Sequence, residues 1–336
     1  MKIGLAGLGG FGKLHYNTLN GIHGAKITCV CDNKKEQLKD LEARKFTSYH
    51  EMLNEDIDVV DIVVDEKLHY EFAKEALEKN KHVFLEKPMA LESNEAEELM
   101  SLAIKKNKVL MIGMILRFDA RHALLHERIS KGKLGSIRHI YCRRNFTISG
   151  HNKYGRVNPF LTGAIHDIDL LIWLSKEKIK KAYATMKYHY QRNNPDALTA
   201  HIELESGATA IIENIWHLPE NNPLGFEFQL EVIGRKETAK ISNQPDISIW
   251  SQDNKTRHKE LEIDIQRNVE YPEMFFSNCV HGIYGGALRK ELEHFIECCN
   301  KNRQSEIINL EEAAYGIKVA NKLIESAEKK EIIYFQ

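Results

Sequence analysis

Short apolar runs and amphipathic segments alternate through the first third of the chain. Lys2–Ala6, Ala25–Cys31, Val59–Val64, His82–Leu85 and Val109–Ile112 are short apolar runs, which predicts strands buried on both faces. Between them, Phe11–Leu19, Lys34–Leu41, Leu68–Lys79 and Ser93–Asn107 read as helices. Ser93 is the expected N-cap of the last, with acidic residues in its first turn favouring the helix dipole. Strand–helix alternation of this kind predicts an α/β unit, a parallel sheet with helices on both faces, over residues 1–118.

The pattern changes near residue 118. A helix, His122–Lys131, ends at Lys133-Leu134-Gly135. Longer alternating runs follow at Ile137–Phe146, Ile179–Tyr190, Leu198–Leu204, Ala208–Ile215 and Phe226–Ile233, with Ser206-Gly207 as a hairpin turn. Weaker strands are expected at Ile247–Trp250 and Leu261–Ile265, and loops at Asn193–Pro195 and Pro219–Gly225. Helices Leu288–Asn300 and Leu310–Lys329 precede a last strand, Ile332–Phe335. Consecutive strands predict a second, α+β domain over 119–336, with a large, mostly antiparallel open sheet. The helix at 310–329 has room to pack back on the first domain.

Composition narrows the function. The 336 residues are 43% hydrophobic and 28% charged, enough for a core in each of two domains. A net charge of −1 excludes the basic surplus of a general nucleic-acid binder. No run approaches the length of a membrane span, and Met1-Lys2 leads into no cleavable leader, so a cytoplasmic protein is expected. The six cysteines form no C-x-x-C pair and read as reduced thiols. No H-E-x-x-H or comparable spacing exists, so no metal is expected.

Gly7-Leu8-Gly9-Gly10-Phe11-Gly12 matches G-x-G-x-x-G, after a strand and opening a helix. The first glycine allows the tight turn, the second lets the backbone approach a pyrophosphate, and the third lets helix and strand pack. The free N–H groups of the helix start then hold the phosphates. Asp32 lies 20 residues after Gly12, where a carboxylate can accept both hydroxyls of the adenosine ribose and repel a 2′-phosphate. NAD is therefore expected over NADP, although Lys34 and Lys35 stand close enough to offer a 2′-phosphate a cation.

Glu86-Lys87-Pro88 follows a strand directly, at the carboxyl edge where open parallel sheets bind ligands. Pro88 keeps Lys87 out of the α region. A lysine there can hydrogen-bond a substrate hydroxyl and take part in proton transfer; alone, it reads equally as a solvated strand-end residue.

With these stretches the chain resembles the glucose–fructose oxidoreductase / inositol dehydrogenase / MocA family of NAD(P)-dependent sugar and polyol dehydrogenases. The resemblance rests on GLAGLGGFGKLH (4–15), KHVFLEKPMAL (81–91), RF (117–118), IHDIDLLIWL (165–174) and GALRKELEHF (286–295), and runs over nearly the whole chain. It implies that Lys87 is the catalytic and substrate-binding lysine and His166 the acid/base. It places Glu86 beside the nicotinamide ribose and implies a second domain that shapes the sugar site and forms the subunit interface. A homodimer or homotetramer is expected, since an open sheet needs covering.

The sequence departs from the family in two places. Thr162 stands four residues before His166, where an aspartate is usual; losing that charge beside Lys87 favours the neutral amine. Asp167 and Asp169 are the available replacements, and only Asp169, at i+3, shares the helix face of His166 and could orient its ring. Val64-Asp65 replaces the usual Thr-Pro after the third strand, putting Asp65 and Glu66 near the cleft with no role assigned; Val64 is a candidate cofactor contact, and the helix-start His69 reads equally as a cofactor contact or a structural residue.

Arg117, at the domain junction, is a candidate substrate contact or a hinge ion-pair residue. The stretch Phe146–Asn158, with His151, Lys153, Tyr154 and Arg156, reads as a substrate lid, and Tyr154 and Asn158 are its candidate contacts. Its cations hint at an anionic substrate group. Ser277–Gly286 is expected to close the pocket from the other side. The sequence thus predicts hydride transfer between NAD and a secondary alcohol of a sugar or polyol. Two alternatives stand beside it: oxidation at C3 of a nucleotide sugar such as a UDP-hexosamine, and a non-catalytic NAD-binding sensor.

Overall fold

The computed structural model describes residues 1–190, 193–222, 225–243, 248–251, 257–258, 263–264, 267–270 and 279–335; for Lys153, Val280 and the pieces between 248 and 270 it describes the backbone only. Six parallel strands form the first sheet: β1 (Lys2–Ala6), β2 (Lys26–Cys31), β3 (Arg44–Phe46), β4 (Val59–Ile62), β5 (His82–Glu86) and β6 (Leu110–Gly113). Their order, β3-β2-β1-β4-β5-β6, reverses direction between β1 and β4. That switch point opens a crevice beyond the strand ends, where dinucleotides bind in such sheets. All of β4 and β5 is buried, as an inner strand covered on both faces requires.

Helices α1 (Gly10–Asn20), α3 (His69–Glu78) and α4 (Ser93–Lys106) connect the strands, with a single turn, α2 (Tyr49–Met52), before β4. The expected helix at 34–41 shrinks to a 3₁₀ turn, Lys35–Leu38, and β3 is an edge strand of three mostly exposed residues. Ser93 is not the N-cap of α4. Glu92 is, in a capping box with Glu95, while Ser93 Oγ donates to Asn321 at 2.8 Å.

The second sheet has seven strands. These are β7 (Ile137–Thr147), β8 (Ile179–Lys187), β9 (Ala197–Leu204), β10 (Thr209–Leu218), β11 (Phe226–Gly234), β12 (Thr238–Ser242) and β13 (Ile333–Tyr334), in the order β12-β11-β7-β10-β9-β8-β13. Every pairing is antiparallel except β7 with β10. Burial alternates along β9, β10 and β11, so one face is packed and the other is more open. Ser248–Ser251 pairs with Arg267–Glu270, and Arg257–His258 with Ile263–Asp264. The remaining residues expected as strand there, 247, 261, 262 and 265, lie outside the described residues.

Between the sheets run α5 (Ala120–Ser130), α6 (Ile148–Tyr154), α7 (Pro159–Thr162) and α8 (Ile165–Ser175), with α9 (Gly286–Lys301) and α10 (Leu310–Lys329) closing the chain. The stretch read as an irregular lid thus contains a two-turn helix, α6. From Ile165 to Leu174 every residue of α8 is buried except His166. α10 packs on α4 and β6 of the first sheet as well as on α8 and β8 of the second, and α9 packs on α1. α10 therefore ties the two sheets together, each buried leucine or isoleucine contributing roughly 1.5–3 kcal/mol.

Candidate active site

The glycine loop has the geometry its sequence requires. Gly7 adopts φ +90, and a Cβ there would lie 2.1 Å from the Val63 carbonyl oxygen. A Cβ on Gly12 would stand 2.0 Å from the Gly7 carbonyl oxygen, so only glycine lets α1 start this close to β1. Around Gly9 no atom lies within 4 Å of that position, and Gly9 and Gly10 open the helix with free N–H groups. The loop is thus tight at its ends and open in the middle, as a pyrophosphate requires. Asp32 sits beside it: one carboxylate oxygen accepts from Leu8 N at 2.8 Å, the other from Lys34 N at 2.9 Å. Phe11 is exposed on the first turn of α1, and Val64 lines the loop against Gly7.

His69 is held by the fold: it is buried, donates from Nδ1 to the Pro88 carbonyl at 2.6 Å, and has Nε2 3.3 Å from the Val64 carbonyl. Burial pushes its pKa below the ordinary histidine value, which keeps the ring neutral. It staples the Glu86-Lys87-Pro88 corner to the end of β4.

Lys87 leaves the end of β5 and reaches across to the second half of the chain, where its Nζ donates to the Thr162 carbonyl at 3.2 Å. The side chain of Thr162 is not the partner: Oγ1 is buried with no hydrogen-bond partner among the described residues. Burial lowers the Lys87 pKa, against the opposing pull of Glu86 and Glu66. His166, the one residue of 165–174 that is not fully buried, lies close enough to Lys87 to feel its charge. Burial, then the charges of Lys87, Arg144 and His122, hold its pKa well below 6.5, so it is a neutral imidazole at physiological pH. Glu86 accepts from the Lys87 backbone N–H at 3.3 Å and its Oε1 lies 3.5 Å from His15 Nε2.

Several expected roles do not survive the geometry. Asp169 does not orient His166. It forms a buried bidentate pair with Arg117, whose Nε and Nη2 stand 3.0 and 2.6 Å from its oxygens. Arg117 in turn is no substrate contact: its remaining donor is taken by the Ile307 carbonyl at 2.8 Å and Glu312 at 2.7 Å. Asp167 is equally occupied, by Arg144 through two 3.0 Å bonds. His166 therefore has no hydrogen-bond partner among the described residues, and both aspartates of the H-D-x-D run anchor α8. Sequence reading missed Arg144 altogether; its only signal is an arginine within a strand that is otherwise half apolar.

Asn158 is the N-cap of α7, accepting from Phe160 N at 3.0 Å while its amide donates to Met186 Sδ at 3.2 Å. Tyr154 is exposed at the end of α6. His151 is buried against the Pro195 carbonyl at 2.9 Å, and the Lys153 side chain lies outside the described residues. Arg156 makes a fork with Glu66, at 3.0 and 2.9 Å, and lies 3.0 Å from Asp65. Those two acids, which had no assigned role, clasp the α6–α7 segment onto the first sheet. Of Ser277–Gly286, residues 277 and 278 lie outside the described residues; Tyr284 lies against α1, its hydroxyl accepting from Asn17 at 3.3 Å. The structure also gathers one group able to hold a metal, His189, Asp196 and His217, in which both rings stand 2.9–3.0 Å from one Asp196 oxygen. Among the described residues no helix is long and apolar enough to cross a membrane.

Comparison with known proteins agrees with this arrangement. Residues 1–114 match the GFO/IDH/MocA model described as an oxidoreductase family with an NAD-binding Rossmann fold, and residues 122–240 match the C-terminal domain of the same family. An inositol 2-dehydrogenase of Salmonella typhimurium is 27% identical over 256 residues, 72% of this chain and 74% of that protein. The apo scyllo-inositol dehydrogenase of Lactobacillus casei superposes with a TM-score of 0.81 at 25% identity, covering 99% of this chain and 98% of that one. The form of that enzyme solved with bound NAD(H) and scyllo-inositol gives the same TM-score of 0.81 at 24% identity and the same 99% and 98% coverage.

Proposed function

Because the chain belongs to the GFO/IDH/MocA family of oxidoreductases with an NAD-binding Rossmann fold, we propose that it transfers a hydride between NAD and a secondary hydroxyl of an uncharged polyol of the inositol type. The observation that carries this reading is that Lys87 leaves the end of β5 and reaches Thr162, four residues before His166, close enough for its charge to lower the pKa of that ring. The loop amides Gly9 and Gly10 and the Asp32 carboxylate would hold the dinucleotide; its nicotinamide, when bound, accepts or returns the hydride. The Lys87 ammonium donates to the reacting oxygen and favours its alkoxide character, and the neutral His166 takes the hydroxyl proton. Thr162 acts through its carbonyl, which aims Lys87, and not as a substitute acid.

The arginines favour an uncharged substrate. Arg117, Arg144 and Arg156 each face a carboxylate within 3.0 Å, so these cations are neutralised within the protein. A diphosphate of a nucleotide sugar would have to displace one of those pairs. The relatives named inositol dehydrogenases point the same way. Retention of both Lys87 and His166 favours an enzyme over a sensor.

Asp32 favours NAD over NADP. The domain boundary near residue 118, a cytoplasmic site of action, and a homodimer or homotetramer built on the open face of the second sheet belong to the same proposal. Light scattering in solution tests the oligomer. The activity test follows reduced-nicotinamide absorbance with NAD or NADP against inositols, aldoses, sugar phosphates and UDP-sugars. NAD-dependent turnover of an inositol, lost in Lys87→Ala and His166→Ala, is the expected result. Turnover of a UDP-sugar alone, or NAD binding with no turnover anywhere, would overturn the polyol reading.

A further inference from the structure

The ends of β8, β9 and β10 meet at a corner that the hydride-transfer reading does not use. Ala197, the first residue of β9, pairs with Lys187 of β8 and Ile215 of β10. Residues just beyond those pairs therefore come together, although Asp196 is 7 residues from His189 and 21 from His217. His189 Nδ1 stands 2.9 Å and His217 Nε2 3.0 Å from the same oxygen, Asp196 Oδ1. The three ligand atoms all lie within 4.8 Å of one another, and the two rings are nearly perpendicular, 4.6 Å apart.

The corner is fixed by backbone on every side. Asp196 N donates to the Lys187 carbonyl and Trp216 N to the Asp196 carbonyl, both at 2.9 Å. The second Asp196 oxygen accepts from Tyr190 N at 2.9 Å, which leaves Oδ1 to the imidazoles. The same corner carries α6: the Pro195 carbonyl lies 2.9 Å from His151 Nε2, and Asn194 Nδ2 donates to the Gly155 carbonyl at 2.9 Å.

The charge at the corner is incomplete. Asp196 is wholly buried, and among the described residues its side chain meets only the two imidazoles and one backbone N–H, with no lysine or arginine. A buried carboxylate needs a positive partner, and a neutral imidazole supplies none. Two imidazole nitrogens and one carboxylate oxygen are the donor set of zinc sites that keep an open position. Ligand bonds of about 2.0–2.2 Å at tetrahedral angles set neighbouring donors roughly 3.3 Å apart, so both nitrogens stand within a few tenths of an ångström of what an ion at this corner requires. Imidazole favours zinc over magnesium or calcium, which prefer oxygen.

We propose that His189, Asp196 and His217 bind one zinc ion, which replaces the ring protons between them and locks the three strand ends on which α6 rests. His189 is largely exposed, so water fills the fourth position from the outer side. The site stands apart from Lys87 and His166, and its test does not depend on turnover.

The test uses the full chain, stripped with a chelator and titrated with zinc against a chromophoric competitor. Wild type and the double variant His189→Gln/His217→Gln are compared. Glutamine can still donate to Asp196, which preserves the fold while removing both imidazole ligands. Wild type should bind one zinc per chain with an affinity that the double variant lacks. Losing a ligand should weaken binding by at least the roughly 10–100-fold that outer-shell changes cost. The comparison matters because 16 histidines and the exposed Cys279 offer weak zinc contacts elsewhere. Equal affinity in the two proteins, or no zinc bound by wild type, overturns the site.

Thermal unfolding gives a second readout. With zinc at roughly a hundred times its Kd, the wild-type midpoint should rise by about 4 °C. Magnesium should leave it unchanged, and zinc should not move the double variant. His189→Gln alone, at the exposed ring, serves if the double variant does not fold. A zinc-dependent rise of the same size in the variant would place the ion elsewhere and overturn the proposal.

Discussion

The glycine loop and the H-D-x-D helix are both short motifs, yet they behave differently when folded. In the loop, each residue does what its local sequence implies: Gly7 turns, Gly9 is open, Gly12 meets the Gly7 carbonyl, and Asp32 stands over the turn. On α8, two residues of three do not: Asp167 and Asp169 are spent on Arg144 and Arg117, while His166 alone stays partly exposed. The loop's chemistry is backbone chemistry, and the glycine positions and the spacing to Asp32 announce it along the chain although Asp32 and Leu8 are 24 residues apart. The helix's chemistry is side-chain pairing, and its partners lie 23 and 52 residues away.

The comparison can be broken at several points. Lys87→Met should have the largest effect. Losing the donor to the reacting oxygen is expected to cost roughly 10²–10⁴ in kcat, while protein fluorescence still reports NAD binding. Loss of NAD binding instead would make Lys87 a cofactor residue and leave the reaction chemistry to His166 alone.

Arg117→Ala comes next. It strands Asp169 in the interior and should cost about 3–5 kcal/mol by denaturant unfolding. KM for the polyol should hold in the folded fraction. A raised KM at unchanged stability would return Arg117 to the substrate site.

The two glycines divide the loop's own roles. Gly12→Ala pushes a methyl into the Gly7 carbonyl and should lower both stability and NAD affinity. Gly9→Ala meets no protein atom, so melting temperature should stay constant while NAD affinity drops about tenfold, near 1.4 kcal/mol. Unchanged NAD affinity in Gly9→Ala would remove the pyrophosphate from this position.

Asn158→Ala is the smallest change. Removing the cap of α7 should cost about 1 kcal/mol, seen as a lower unfolding midpoint with KM unaltered. The acid limb of kcat/KM offers a further check on the cleft. Because burial and Lys87 hold His166 low, its loss of basicity should begin well below pH 6.5, and Lys87→Met should move that limb upward.

Much of this was legible along the chain. The strands and helices of the first sheet follow from buried apolar runs alternating with amphipathic segments. The exceptions are informative. β3 is three residues, two of them exposed cations, and carries little apolar signal because it is an edge. The segment 148–154 lacks an apolar stripe, yet it folds as α6 with His151 buried under Pro195. Ser93 and Glu92 compete for one cap, and the reach of Asn321 from α10 draws Ser93 away.

The sequence by itself determined the parallel sheet, its glycine turn, the carboxylate that guards it and the placing of Lys87 at a strand end. These show as apolar runs, glycine positions and a fixed motif spacing, which are readable along the chain even where the contact itself spans 24 residues, as between Leu8 and Asp32. Tertiary structure decided which charges remain available for chemistry. Arg117, Arg156, Asp167 and Asp169 look alike in sequence to catalytic groups, but each found an opposite charge when the sheets closed. A buried ion must be paired, and the partner is chosen by the fold. Neither Lys87 nor His166 is in an ion pair among the described residues.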